Sequence, residues 1–531
     1  MQIAFNGPSH GDLGERLCAL IGADAVLTDE PSLAFYSNDV FWQPGVAPLA
    51  ITLPRSADDV VALARLAQDL DVALIPRGGG LSYGKGYLPP HRNCIVVDTR
   101  RMSRVIEIDE KSRFVTVEAG CTWAELHEAL LPTGLRTPYW GPMSGIGGTV
   151  GGALSQNSAF YGSSRHGTVA DSVLGVTAVL ADGTCVTTGS GGRRGAKPFT
   201  RHGGGPDFTG LFLGDNGAFG IKVAATLRLI ERTPHVGYLS AGFATMQAMV
   251  DAQVRLAQTG KIAESFGIDR NKALQSAGVN RAADSVKNLL AVVGAGTSLA
   301  AGVKDAVAVA AGGTQFLTAY PYTLHLMVED ESARRLGEAL AEVRAIVLYE
   351  GVELPDSVPR VIRAKPFGPV RGMLGLNGER WVPCHATFAL ADALYVCDAM
   401  ARHFETFDAL MTQHGISRSH FLMCIGNEFF FETAFYWRDE LTPLHVATVG
   451  ADVTAPWADR PAAPDARAAV QAIRDATYLA YAELGGASWQ VSRDYPFERV
   501  LEPGSWNLMR RVKASLDPDR RVNPGALGDG C

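Results

Sequence analysis

The chain has 531 residues, 47% hydrophobic and 19% charged, and its 48 Lys and Arg against 55 Asp and Glu give a formal charge of −7. Such a chain fills sizeable cores and, at several times the usual domain length of about 100–150 residues, implies at least two domains. The balance excludes global disorder, a small disulfide scaffold and the basic footprint of a nucleic-acid binder.

In chain order, AITLP (50–54) reads as a strand and SADDVVALARLAQDL (56–70) as a helix. Ser56 and Asp59 stand at capping-box spacing, ahead of an apolar stripe through Val60, Leu63, Ala64 and Leu66. VALIP (72–76) and NCIVVDTR (93–100) follow as strands. VIEIDEKSRFVTVEAG (105–120) is a hairpin turning at EKSR, and a second helix runs from Thr122 to Leu130 with Glu125 completing its cap. No GxGxxG closes the first strand and opens a helix, so the fold differs from a Rossmann domain and any dinucleotide bound here is held by loops.

VADSVLGVTAVLADGTCVTTG (169–189) reads as two strands joined at Asp182-Gly183, and IKVAATLRLI (221–230) as another. From about 236 the pattern changes. Amphipathic helices at 246–260, 330–347 and 391–415 alternate with the strands GYLSAGF, FLTAYPYTLHLMV, HFLMCIG and FFFETAFYW, an α+β arrangement with an antiparallel sheet. TAPWADRPAAPDARAA (454–469) reads as an exit loop, and one helix from about 470 leads to the terminal NPGALGDGC. The expected division is 1–235, 236–470 and 471–531.

The eight cysteines are widely spaced with no CxxC, and His325, His414 and His420 are isolated, so no metal site is expected. The opening MQIAFNGPSHGDLGERL carries no secretory or transit pattern. The apolar stretch Leu289–Val303 falls short of the roughly 20 residues that cross a bilayer. A cytoplasmic homodimer without a transmembrane segment and without a nucleic-acid partner is the expectation.

The chain's 58 Gly and 28 Pro exceed an average share of about 12%. The glycines gather in IPRGGGLSYGKG (75–86), GPMSGIGGTVGGALSQN (141–157) and LFLGDNGAFGIKV (211–223). Glycines after a strand leave successive backbone N–H groups exposed in a concave turn, which suits a pyrophosphate. A flexible linker is the alternative, but the flanking apolar β-runs oppose it. Arg77 reads either as a further phosphate contact or as a surface charge. The basic stretch GSGGRRGAKPFTRHGGG (189–205) reads as a surface loop or as a docking site for an acidic redox acceptor protein.

These segments resemble the vanillyl-alcohol oxidase and p-cresol methylhydroxylase superfamily of FAD-linked oxidoreductases. The likeness is carried by IPRGGGLSYGKG, VVDTRRMSRVIEID, VTVEAGCTWAELHEAL, GGTVGGALSQNSAFYGSSRHGTVADSVLGVTAVLADGT, LGDNGAFGI and VKASLDPDRRVNPG, over roughly 45–230 and 505–525. The resemblance implies an α+β, two-subdomain FAD-binding fold with an α+β cap domain that covers the isoalloxazine, and a C-terminal segment that returns to the FAD domain. It implies cofactor contacts from Pro76, Arg77, Gly78, Gly79, Gly80, Leu81, Ser82 and Tyr83, with the pyrophosphate on the 77–84 loop. Further contacts are implied from Pro142, Ser144, Gly145, Gly148, Thr149, Gly151, Gly152, Ser155, Asn157 and Ser158, and from Gly217, Gly220, Ile221 and Asn523.

The departures from the family pattern also inform. Leu81 stands where many relatives attach flavin through a histidine, and Trp489 or Ser492 falls near the second tethering position, in a strand read as 486–498. Non-covalent FAD is therefore expected, with Tyr495 as the outside candidate for a tether. Tyr83 matches the phenolate-binding tyrosine of the phenol oxidases, or else packs over the dinucleotide. Ser144 aligns with their aspartate near N5, so the acid–base group comes from elsewhere.

His385, in the strand region GERWVPCHATFAL, is one candidate base, with a satisfied core histidine as the alternative. Glu432 is a second: in strict alternation Glu428, Phe430, Glu432, Ala434 and Tyr436 do not make a uniformly apolar face, so a carboxylate faces either a cavity or an exposed outer edge. Arg493 and Arg510 could pair with a substrate carboxylate. The activity implied is removal of a hydride from a benzylic alcohol, 4-alkylphenol or 2-hydroxy acid, with a non-catalytic or electron-relay subunit of a larger dehydrogenase as the alternative.

Overall fold

The computed structural model describes residues 10–43, 46–203, 205–277 and 318–528. The stretch Leu289–Val303 lies outside them. The described chain divides into a first unit of residues 1–158, 169–230 and 489–531 and a second of 159–168 and 231–488.

In the first unit, β1 (Val26–Leu27), β2 (Ala50–Thr52), β3 (Ala73–Arg77) and β4 (Cys94–Asp98) form a sheet of order β1-β2-β4-β3, in which β4 runs parallel to both β2 and β3. A second, antiparallel sheet has the order β5-β6-β10-β8-β9. It comprises β5 (Val105–Asp109), β6 (Phe114–Glu118), β8 (Val173–Val179), β9 (Cys185–Thr187) and β10 (Ile221–Arg228), while β7 (Leu135–Arg136) and β11 (Ile230–Glu231) pair in a separate two-stranded sheet. The helix Ala57–Leu70 buries Val60, Leu63, Ala64 and Leu66 between the sheets, against Leu74, Ile95, Val97, Val179, Ile221 and Val223.

Local chemistry starts and stops these elements as the sequence suggests. Ser56 caps its helix by accepting from the Asp59 N–H, although Asp59 turns its carboxylate to the Arg55 N–H instead of closing the box. Thr122 and Glu125 close theirs in both directions. The two hairpins turn at positive φ, 59° at Arg113 and 80° at Gly183.

The second unit is built on an antiparallel seven-stranded sheet of order β15-β12-β14-β13-β17-β18-β16. Its strands are β12 (His235–Phe243), β13 (Ile262–Asp269), β14 (Tyr322–Asp330), β15 (Val352–Leu354), β16 (Arg380–Ala389), β17 (Ser417–Ile425) and β18 (Glu428–Trp437). Residues 159–168, within a segment expected in the FAD domain, belong to this unit. Phe160 packs on Phe266 and Phe421, and Ser164 accepts the Ser265 N–H at 3.0 Å through its hydroxyl and the Gly426 N–H through its carbonyl.

Four expectations change. The exit loop is shorter, because Pro464 sits in the first turn of the helix Pro464–Glu483, where its missing N–H costs nothing. The helix expected at 391–415 is two, Ala393–Glu405 and Asp408–His414, parted where the Thr406 hydroxyl bonds the His403 carbonyl. The single C-terminal helix is likewise several: after Pro464–Glu483 come the short Phe497–Val500 and the longer Pro503–Leu516. Residues 486–498 form no strand, because Gly485 at φ 78° and Gln490 at φ 56° turn the chain on either side of one bridge, Ala487 to Thr387.

Residues 493–523 close the first unit. Lys513 is 1% exposed and donates to the carbonyls of Ala218 and Val522, each at 2.7 Å, and to Asp517 Oδ2 at 2.6 Å. Val522 bridges to Leu74 alongside β3. Replacing Lys513 with Met strands a buried carboxylate, so K513M is expected to lose about 3 kcal/mol in urea unfolding monitored by near-UV circular dichroism.

Candidate functional site

The turn after β3 exposes an unusual surface. Gly78, Gly79, Gly80, Leu81 and Ser82 follow one another, and none of their five N–H groups has an acceptor among the described residues. Buried or half-buried amides are nearly always paired, so a run of five marks a place shaped for an anionic acceptor.

Why glycine stands here is more specific than backbone freedom. A Cβ on Gly79 would lie 2.0 Å from the Gly147 carbonyl oxygen, and one on Gly78 would lie 2.3 Å from Thr149 Oγ1. The two backbones touch, and only hydrogen fits between them. At Gly80, φ is +70°, and a Cβ would lie 2.3 Å from Arg77 Nη2. The second cluster is itself tightly bonded: Gly145 N–H donates to the Pro142 carbonyl, Gly147 and Gly148 both donate to the Ser144 carbonyl, and Gly152 donates to Thr149 Oγ1.

Several expected cofactor residues have other work in this structure. Gly151 makes room for Ala119, and the Ser155 hydroxyl bonds the Gly151 carbonyl. Ser158 is buried, its N–H bonded to the Ala153 carbonyl. Gly217 clears Pro76, Gly220 lies against the Val179 carbonyl, and Ile221 is a core residue of β10. Asn157, at φ 45°, keeps a buried Oδ1 without a hydrogen-bond partner, a second polar atom that suits a ligand.

The C-terminal residues brace the cradle. Asn523 Nδ2 donates to the carbonyls of Gly86 at 2.9 Å and Asn216 at 2.6 Å, and its Oδ1 accepts from Arg493. Arg493 also reaches the carbonyls of Pro524, Lys85 and Leu88, and burial pulls it down to about 10. It is a clamp on two loops, not the substrate-pairing arginine expected. Arg510 is exposed beside Trp506.

Tyr83 is 8% exposed and gives its hydroxyl to Gln490 Oε1 at 2.6 Å, while Tyr495 packs its ring edge-on to Phe497. Ser492 Oγ is buried without a partner next to Gly84 and Gly86. Asp39, missed at the sequence level because YSNDVFW carries no motif, accepts the N–H groups of Phe41, Trp42 and Lys85; burial pushes it up to about 7 despite them.

In the second unit, Glu432 lies in the interior strand β18, opposite Phe421 of β17 and His385 of β16, so the outer-edge alternative fails. His385 is 1% exposed, its ring tilted over Phe430 at 5.1 Å. Glu432 is half-buried; burial raises its pKa and the Lys272 ammonium works against that. Lys272, in the helix Arg270–Ala277, lies 5.6 Å from the Trp381 ring centre. Burial opposes its charge, but Tyr436, Glu432 and Asp269 together hold its pKa up. Tyr436 also accepts from the Ser419 hydroxyl at 3.3 Å. RNKALQ gives no sign of this role in the sequence. Among the described residues no three His, Cys, Asp or Glu gather to hold a metal ion, and no helix is long and apolar enough to cross a membrane.

A strand-borne cradle of unpaired amides, backed by two interlocked glycine turns and without a helix-opening GxGxxG, is the architecture of a loop-held dinucleotide. Residues 48–189 match the family described as FAD binding domain, and 492–527 match the C-terminal domain of FAD linked oxidases. The chain thus carries an FAD binding domain and the C-terminal domain of FAD linked oxidases, and FAD is its cofactor.

A probable mitochondrial D-lactate dehydrogenase of Danio rerio is 32% identical over 216 residues, 40% of this chain and 41% of that one. The match thus spans well under half of that relative's length. Among solved structures, p-cresol methylhydroxylase with substrate bound superposes with a TM-score of 0.75 at 17% identity, covering 98% of this chain and 96% of that one. A 4-ethylphenol oxidase of Gulosibacter chungangensis, in complex with isoeugenol, gives 0.74 at 18% identity and 99% of each chain. At such identities these structures confirm the fold and nothing finer.

The close contact of the two turns is testable. Gly79→Ala is expected to lower FAD bound per protein at least about 10-fold, because the turns must part to admit a methyl. Gly147→Ala, whose added Cβ meets only Leu81 Cδ1 at 3.6 Å, should retain flavin. Absorbance near 450 nm against total protein in the purified variants reads both.

Proposed function

We propose that the chain is an FAD-dependent oxidoreductase that removes a hydride from an alcohol-type carbon, with the amides of residues 78–82 holding the pyrophosphate without a covalent link to the flavin. The observation that carries the reading is the run of five unpaired N–H groups inside the segment that matches an FAD binding domain. Bound FAD supplies the two-electron acceptor chemistry. The chain's own residues bind and orient it: Asn157 Oδ1 and Ser492 Oγ offer further polar contacts, while Asn523 and Arg493 fix the loops around them. Leu81 supports non-covalent binding, having no nucleophile to offer.

Glu432 is the proton acceptor in this reading. Its carboxyl is raised by burial, which moves a carboxylate toward the range where it accepts a hydroxyl proton near neutrality. Lys272 keeps it oriented. His385, buried against Phe430, is the second candidate and the less accessible one. The substrate class is a 2-hydroxy acid, as in the lactate dehydrogenase relative, a 4-alkylphenol, as in the names of the neighbours of like fold, or a benzylic alcohol. Electrons pass on to dioxygen or to a separate acceptor, and the working unit is a cytoplasmic homodimer.

Anaerobic mixing with D- and L-2-hydroxy acids, benzylic alcohols and 4-alkylphenols should bleach the flavin with one class, and a flavin that none of them bleaches overturns the assignment. With the bleaching substrate, Glu432→Gln should retain FAD and slow reduction by about 10²-fold or more. An unchanged rate in stopped-flow removes Glu432 from the reaction.

A further inference from the structure

Arg77 is not a surface charge. It is 3% exposed, and its Nε and Nη1 atoms are buried without a hydrogen-bond partner. Three aromatic rings hold it. The guanidinium carbon lies 4.3 Å from the centre of the Tyr36 ring and 5.1 Å from those of Phe35 and Tyr87. Such contacts favour a cation and fix its position, but they do not cancel its charge.

The acid beside it is already used. Asp98 lies opposite Arg77 in the β3–β4 register and is fully buried, yet its oxygens accept from Arg100 Nε, Nη2 and N–H, and from the Tyr36 hydroxyl at 2.6 Å. The other buried carboxyl near Tyr87, Asp39, is occupied by three backbone N–H groups, and burial drives it toward its neutral form. A buried cation without a dedicated counter-ion is costly, and proteins usually pair it.

The position of that cation is informative. Nη2 lies where a Cβ of Gly80 would sit only 2.3 Å away, so the guanidinium rests against the underside of the turn whose amides are unpaired. Tyr87 ties the same turn down by donating to the carbonyls of Gly80 at 2.7 Å and Ser82 at 3.2 Å. Those carbonyls point toward Tyr87 while the adjoining N–H groups stay available. Cage, cation and cradle are therefore one assembly.

We infer that Arg77 is a caged counter-charge for the dinucleotide's pyrophosphate, acting from behind the amide turn and without touching the phosphates. The inference rests on the FAD reading above and adds to it a positioning residue whose effect is electrostatic. It gives Phe35, Tyr36 and Tyr87 a common purpose, which is to hold the guanidinium in place where no carboxylate pairs with it. It also explains why the third residue of the turn is glycine: any side chain at residue 80 would push the guanidinium away.

The test compares FAD with riboflavin, which has the same ring system and no phosphate, binding to apoprotein by quenching of flavin fluorescence. Arg77→Met is expected to weaken FAD by at least about 10-fold while changing riboflavin by less than about 3-fold, and to flatten the dependence of FAD affinity on ionic strength. Arg77→Lys, which restores a cation in the cage, should recover most of the loss. If R77M weakens FAD and riboflavin equally, or weakens neither, the inference is overturned and Arg77 is a packing residue. Should R77M fail to fold, Gly80→Ala displaces the guanidinium without removing it, and is read by the same comparison. Wild-type apoprotein that takes up no FAD would instead defeat the cofactor reading itself, and the inference with it.

Discussion

The first unit depends on a contact between two backbones. Residues 78 and 79 lie against 147–149 so closely that a methyl group on Gly79 would overlap a carbonyl oxygen. Side chains at these positions would force the two turns apart. The N–H groups of 78–82 are left without an acceptor among the described residues. Everything else near the cradle reinforces the same geometry: Tyr87 holds the carbonyls from beneath, and Asn523 and Arg493 bind the flanking loops 84–88 and 216.

Much of this architecture is legible in the sequence because it is locally determined. The Thr122–Glu125 cap, the Asp182-Gly183 hairpin and the apolar stripe of 57–70 each lie within a few residues of their partners, and they form as periodicity and capping rules suggest. The glycine clusters are visible for the same reason. What each glycine does is not, because the reason lies across the fold. Gly220 and Ile221 stand in the same kind of glycine-rich run as Gly78 and Gly79, yet Gly220 lies against the Val179 carbonyl and Ile221 is a core residue of β10. Arg493 is a similar case: its acceptors on Lys85 and Leu88 are separated from it by 408 and 405 residues.

The second unit shows the opposite balance. Its sheet is long and apolar, so β12, β16, β17 and β18 are readable as strands, while the order in which they pair is not. That order turns an ambiguous carboxylate into a defined one. Glu432 would be a solvated charge on an edge strand; between β17 and β16 it is half-buried, flanked by Phe421 and His385, with Lys272 arriving from a separate helix. Lys272 carries no motif because its significance is conferred wholly by tertiary placement.

The pairing of Leu74 with Val522 has a consequence for biosynthesis. The strand that carries the cradle acquires its neighbour from a segment translated after residues 231–488, which make up most of the second unit. A ribosome therefore releases nearly all of the second unit while the first still lacks the bridge along β3 and the lysine that locks it. Domains usually fold in the order they emerge, and here the first unit must wait. During that interval the β3 edge is bare, so the polypeptide is most vulnerable to mispairing before residue 522 arrives.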